Sequence, residues 1–265
     1  MLPLIQFHCN VTNEEEIVQI LVDIAHGQHN KRACTRTIQA GHLPLHTPFH
    51  KTTTLLRRPL TRIASGFLHN FHECAQMQRK FGVDPRANVS ISMAPFCQDI
   101  KEYSSAPEGK NYTPGKIVDD QNQTYHVLDV ILDYAKCVRG CTTNMLTKKR
   151  CAMGAKYSVN STVVMQATSV ISRLAFVGVT DDPDWGTMLC QFQHKFPRKH
   201  GGGYSMSRHN IRPSPVRACE HDLIYILNAT TKWIEEYDPD YVIYQAGARR
   251  FQKELLPICR DQRES

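Results

Sequence analysis

The sequence has no apolar run of membrane-spanning length. Its longest, Leu223 to Leu227 and Ala175 to Val179, fall far below the roughly 18 residues that a span requires. The N-terminus lacks the basic, apolar and small-residue succession of a signal peptide. Neither Gly-x-Gly-x-x-Gly nor a Walker A sequence occurs, so nucleotide binding cannot rest on a Gly-rich phosphate loop. Gly-x-Ser-x-Gly is also missing, which excludes an α/β-hydrolase even though His200-Gly201-Gly202-Gly203 resembles an oxyanion-hole segment. No second close cysteine pair accompanies Cys137 and Cys141, which argues against a zinc framework, and no metal site is expected. Zinc fingers and aromatic-basic RNA motifs are absent, so nucleic acid is not an expected partner. There is no internal repeat and no low-complexity tract.

What is present suits a folded globular chain. Its 265 residues, 41% hydrophobic and 22% charged, are enough for one α/β domain with a substantial core. That balance excludes disorder, collagen and extended coiled coil as descriptions of the whole. Thirty-two Lys and Arg against 25 Asp and Glu leave a net charge of +7, which favours anionic partners without choosing among them.

Ten cysteines, an even number, suit disulfides in an oxidising compartment, and the Cys137, Cys141, Cys151 cluster is expected to contribute at least one bridge. Asn-x-Ser/Thr sequons begin at Asn10, Asn88, Asn111, Asn122, Asn160 and Asn228. Chance would supply roughly one, so the excess points to a glycosylated lumenal protein.

The spacing of Ile17, Ile20, Leu21 and Ile24 predicts a helix over Glu14 to Ala25, opened by a Thr12/Glu15 capping box. Cys34 to Ala40 and Thr52 to Leu56 read as short buried strands, and after Pro59 the apolar residues from Leu60 to Phe71 repeat at helical spacing. The stretch from Arg79 to Gln123 has no long period and reads as irregular, with short helices. A helix is expected from Val127 to Tyr134, and Leu174 to Thr180 reads as a buried strand that leads into another helix. Closing helices are expected near Val216 to Tyr237 and Pro239 to Leu256. The expected fold is a parallel central sheet with helices on both faces.

A strand followed at once by Arg57 and Pro59, with Ser65 inside the next helix, places a cation and a hydroxyl beside a helix N-terminus at a strand's C-terminal edge. That is an anion site suited to a phosphate monoester. The segment Leu55-Leu56-Arg57-Arg58-Pro59-Leu60-Thr61-Arg62-Ile63-Ala64-Ser65-Gly66-Phe67 resembles the LRDPxxRxxSxY motif of sulfotransferases, matching at Arg57, Pro59, Arg62 and Ser65. Arg58 stands where Asp is usual and Phe67 where Tyr is usual. Gly41-His42-Leu43-Pro44 is similar to the Gly-His segment of Golgi carbohydrate sulfotransferases, among them the galactose 3-O and the uronyl and heparan 2-O groups. Phe176 to Thr180, Asn210 to Ser214 and Asp240 to Phe251 are similar to later parts of that family, in the same order.

The resemblance implies a P-loop-like three-layer sandwich and transfer of a sulfuryl group from PAPS, 3′-phosphoadenosine 5′-phosphosulfate, to a carbohydrate hydroxyl. It gives the 3′-phosphate to Arg57 and Ser65 and the acceptor side to His42, whose imidazole can act as general base, with His46 and His50 as neighbours able to substitute. Arg62 is expected to support the loop or face solvent. Arg208 and Arg212 are candidates for the donor or an acidic glycan. Nothing before Ile38 resembles the family's Lys-containing 5′-phosphosulfate loop. The corresponding expectation is a chain lacking the N-terminal part, derived from a membrane-anchored protein of the Golgi lumen. The alternative is a catalytically inactive relative or a lectin-like glycan-binding protein.

Overall fold

Three threonines and two leucines make Thr52–Leu56 a strand, and the sequence Arg58-Pro59 then turns it directly into a helix. Proline stands at the first helical position, where its missing N–H costs nothing. The computed structural model describes residues 4–6, 39–41, 49, 52–86, 88, 92–104, 116–119, 121–151, 159–181, 185–196, 214–230 and 238–260. The helix expected over Glu14 to Ala25 lies outside them. Of the strand expected over Cys34 to Ala40, only the end is described.

The main sheet contains β1 (Leu4–Gln6), β2 (Gln39–Gly41), β3 (Thr52–Leu56) and β6 (Phe176–Val179), in the order β2-β1-β3-β6. β3 and β6 are parallel, in register from Thr53 opposite Phe176 to Leu56 opposite Val179. β1 runs antiparallel to both β2 and β3. The protein is therefore mixed α/β, with parallel pairing at β3–β6 only among the described strands. All four residues of β6 are buried, as expected for a strand covered on both faces.

Around this sheet lie α1 (Pro59–Phe67), α2 (Ala75–Lys80), α3 (Ala94–Ser104), α4 (Val127–Cys137), α5 (Cys141–Leu146), α6 (Ser161–Ile171), α7 (Trp185–Lys195), α8 (Ser214–Thr230), α9 (Pro239–Glu254) and α10 (Pro257–Arg260). None of them is long and apolar enough to cross a membrane. The segment read as irregular with short helices holds α3 and β4 (Lys116–Val118), which pairs with β5 (Thr124–His126) just beyond it in a hairpin whose turn places Asn122 in the left-handed region at φ 58°. The helix α6 has no counterpart in the sequence-based reading. Its Asn160 side chain caps it by accepting from the Val163 N–H at 3.0 Å.

The largest core lies among α1, α3, α4 and α8, where Phe67, Phe71, Phe96 and Tyr134 meet mostly edge to face. A second core joins Leu56 and Val177 of the sheet to Ile171 of α6 and Ile243 of α9. Helix α9 reaches the sheet this closely because Gly247 stands over Leu56. A Cβ there would come within 2.1 Å of Leu56 Cδ1.

Four disulfides link these parts: Cys74–Cys137, Cys97–Cys219, Cys141–Cys151 and Cys190–Cys259. The Cys137, Cys141, Cys151 cluster thus contributes to two bridges. Cys9 and Cys34 lie outside the described residues.

The exit from α1 is tight. Asn70, Phe71 and Glu73 all take left-handed φ, between 51° and 67°, before Cys74 is tied to α4 and the Tyr134 hydroxyl donates to the His72 carbonyl at 2.8 Å. Burial pushes the Glu73 carboxyl up to about 7. Burial, with the nearby His69, pushes His72 down to about 4. The 3.5 Å contact between their side chains is therefore one between an uncharged imidazole and a carboxyl that is still protonated below neutral pH.

The signs of the two linkages oppose one another. Folded Glu73 keeps a proton that the unfolded chain has lost above its ordinary carboxylate range, so its contribution is lost as pH rises through about 7. Folded His72 refuses a proton that the unfolded chain accepts below about 6.5, so its contribution is lost as pH falls toward 4. We expect Glu73→Gln to be more stable than the wild type above pH 7 and to acquire a loss of stability on acidification between pH 6.5 and 4. Urea unfolding across that range checks this, and parallel pH profiles for the two proteins would refute the assignment.

Candidate functional site

The expected anion site lies where β3 and β6 end together. Arg57 follows β3 directly, and its Nη2 donates to Glu220 Oε1 of α8 at 3.3 Å, with side chains 29% and 15% exposed. Its Nε is buried and has no hydrogen-bond partner among the described residues. The guanidinium is thus oriented through one terminal nitrogen, while a second donor of its planar fork is unsatisfied. With Nε enclosed, the partly exposed terminal nitrogens are the part of the fork that an oxyanion can reach.

The helix N-terminus beside it is already occupied by the protein's own carboxylate. The Arg58 N–H donates to Asp181 Oδ2 at 2.9 Å, and the Thr61 hydroxyl donates to Asp181 Oδ1 at 2.7 Å. Asp181 follows β6 after Thr180, whose N–H donates to the Leu56 carbonyl at 2.9 Å and extends the parallel pairing by one step. The expected helix-end contribution to anion binding is therefore satisfied internally at Arg58, which leaves Arg57 as the available cation.

Ser65 does not share an open surface with Arg57. It lies toward the end of α1 with a relative exposure of 0%. It offers no accessible hydroxyl to a ligand in this arrangement. His42, His46, His50, Arg208 and Arg212 lie outside the described residues, as does the Gly-rich segment from His200 to Gly203.

Arg62 neither faces solvent nor merely steadies the loop. It is 4% exposed and joins three elements. Nη1 donates to Asp240 Oδ2 and to Thr142 Oγ1, the latter at 3.0 Å, and Nη2 donates to the Val138 carbonyl at 3.3 Å and to Asp238 Oδ2 at 3.4 Å. Asp240 also accepts from the N–H groups of Thr142 and Thr143 at 2.9 and 2.7 Å, which caps α5. Asp238 caps α9 and accepts from the N–H of Gly140, which sits in the left-handed region at φ 67°. Burial alone would press the Arg62 guanidinium down, and the carboxylates of Asp240 and Asp238 more than offset it. Burial and the neighbouring Asp240 push Asp238 up to about 6, against the pull of Arg62.

This network positions α1, and so Arg57 at its entrance, against α9. Sequence reasoning missed its acidic half because Asp238 and Asp240 stand 176 and 178 residues from Arg62. Their local signal, Asp238-Pro239-Asp240, is that of an ordinary helix start. Glu220 had no local signal at all.

Among the described residues, one cluster has the ligand atoms of three metal-binding side chains within 4.8 Å of one another: Cys190, His194 and Cys259. Its two sulfurs form a disulfide, which leaves a single imidazole. No family model, curated protein or solved structure matches the chain.

Proposed function

We propose that this protein is a carbohydrate O-sulfotransferase of the secretory pathway that uses PAPS as donor, with Arg57 as the contact to the donor's 3′-phosphate. The observation that carries this reading is the partly exposed guanidinium of Arg57 at the joint between a parallel strand and a proline-started helix. The same residue holds the first arginine of the sulfotransferase-like motif. The four disulfides accord with an oxidising lumen. In this reading the parallel pair β3–β6 belongs to a P-loop-like three-layer sandwich, the compartment is the Golgi lumen, and the protein is membrane-anchored.

The reaction forms a bond from the acceptor hydroxyl oxygen to sulfur and breaks the bond from sulfur to the oxygen of the donor's 5′-phosphate. The hydroxyl proton passes to His42, and the released diphosphoadenosine carries the electron pair of the broken bond. The chain's task is positioning and charge stabilisation, for which a forked cation at the donor is the essential element. The enclosure of Ser65 favours a second reading, a relative that binds donor product or glycan without transferring sulfate.

Titration calorimetry with 3′,5′-diphosphoadenosine tests the assignment. Arg57→Ala is expected to weaken binding by at least about tenfold, since a lost charge-assisted contact costs about 1.5–3 kcal/mol. Unchanged affinity in the folded variant removes Arg57 from the donor site. Transfer of labelled sulfate to a glycan acceptor then separates the active enzyme from the silent binder.

A further inference from the structure

At the other end of β3, an open groove of about 270 Å³ is lined by Phe49, Thr147, Lys148, Gln166, Ser169 and Arg173, among others. It lies a strand length from Arg57, about 17 Å. Among the described residues its lining holds two cations and no carboxylate.

Both cations are set by the backbone around them. Arg173 donates from Nε to the Ser169 carbonyl at 3.3 Å, and its guanidinium lies 4.2 Å from the centre of the Phe49 ring. Phe49 is itself fixed, because its carbonyl accepts from the Ala175 N–H at 3.1 Å.

Lys148 stands at the C′ position of α5. Its own N–H donates to the Met145 carbonyl at 3.1 Å, and the Lys149 N–H donates to the Asn144 carbonyl at 2.8 Å, the paired bonds of a Schellman motif. Its φ is 65°, the left-handed conformation for which glycine is the unstrained choice. The chain thus places a lysine in a strained position where glycine would end the helix more cheaply, and that lysine lines the groove. Strain of this kind is retained where the side chain has a use.

We infer that this groove binds an acidic glycan chain, with Lys148 and Arg173 contacting its sulfate or carboxylate groups. Thr147, Gln166 and Ser169 supply neutral donors and acceptors suited to sugar hydroxyls. A glycan is favoured over nucleic acid on the secretory-pathway reading proposed above, on which this inference rests and with which the four disulfides accord, because the polyanions of that compartment are glycans. The site is independent of sulfate transfer and of Arg57.

The test is calorimetry on the whole chain in low salt. The probes are a sulfated glycosaminoglycan decasaccharide, an unsulfated uronate-bearing decasaccharide, a neutral chitin-type oligosaccharide and single-stranded DNA of matched charge. Binding of an acidic decasaccharide that weakens with added salt is expected, with none of the neutral sugar. Comparison of the two acidic probes identifies sulfate or carboxylate as the recognised group. Lys148→Gly and Arg173→Glu should each weaken binding by about tenfold, while Lys136→Ala, at an exposed cation of α4, leaves it unchanged. Lys148→Gly should also melt at a higher temperature than the wild type, so its loss of affinity cannot be a loss of fold. Unchanged affinity in both groove variants, or DNA binding as tight as that of the acidic glycans, would overturn the proposal.

Discussion

Arg62→Met is expected to lower stability by about 3–5 kcal/mol, because it strands two buried carboxylates without their counterion. Asp238 and Asp240 are each 3% exposed, so water cannot replace the guanidinium. Asp238 is already pushed up to about 6 by burial and by Asp240 while Arg62 pulls the other way, so removing Arg62 lets it rise further. The folded variant then holds protons that the unfolded chain has released. Its deficit is lost in part on acidification and is largest above neutral pH. Urea unfolding at pH 8 and pH 5 should show the larger difference from wild type at pH 8. Asp238→Asn in the Arg62→Met background should recover part of it, by removing one of the stranded charges. A deficit below about 1 kcal/mol at pH 8 would mean that the network contributes little. Arg62→Lys should retain the charge and lose the fork that bridges Asp240, Thr142 and Val138, giving an intermediate loss.

The contrast between Arg57 and Arg62 shows what a local pattern can carry. Five residues apart in one motif-like segment, the first is placed by strand and proline signals within a few positions, and its exposure follows from standing where β3 ends. The second points into the interior because of Asp238 and Asp240, which no local pattern links to it. In the same way β3, α1, β6, α4 and the closing helices α8 and α9 were legible from apolar spacing and proline. The observed ends differ from expectation by a few residues, and the last part of the helix expected to reach Tyr237, residues 231–237, lies outside the described residues. The helix α6 was not legible, although Asn160 offered a cap, because the exposed Met165 directly follows the half-buried Val163 and Val164 and blurs the amphipathic period. The hairpin β4–β5 was obscured by its shortness: three residues a side, flanked by polar turns, give no alternation to count.

The expected anion site was half legible. A cation at the strand end follows from the order of Arg57 and Pro59, but the occupant of the helix N-terminus follows from sheet order. Only because β6 lies parallel to β3 does Asp181 emerge beside Arg58 and Thr61. The Asp181-Asp182-Pro183 sequence reads equally well as the opening of the next helix, and that local reading omits the cross-strand one.

Removing the Cys97–Cys219 bridge by a double alanine substitution is expected to lower stability by about 3–5 kcal/mol, near the upper end for a disulfide, since the residues it joins are 122 apart in sequence. The bridge fastens α8 to α3, and α8 also packs on α1. Glu220, next to Cys219, is the partner of Arg57. Because Leu223, Ile226 and Leu227 are buried in the main core, α8 should stay helical while its N-terminal end loosens. Hydrogen exchange should therefore accelerate most around Cys219 and Glu220 and least around Leu227. Uniform acceleration along α8 would instead mean that its apolar face does not hold it without the bridge. Loosening should also make the orientation of Arg57 depend on its ligand alone, so added 3′,5′-diphosphoadenosine should raise the melting temperature of the double variant if Arg57 is a phosphate contact. Ligand stabilisation that vanishes in a further Arg57→Ala variant would tie the two observations to one side chain.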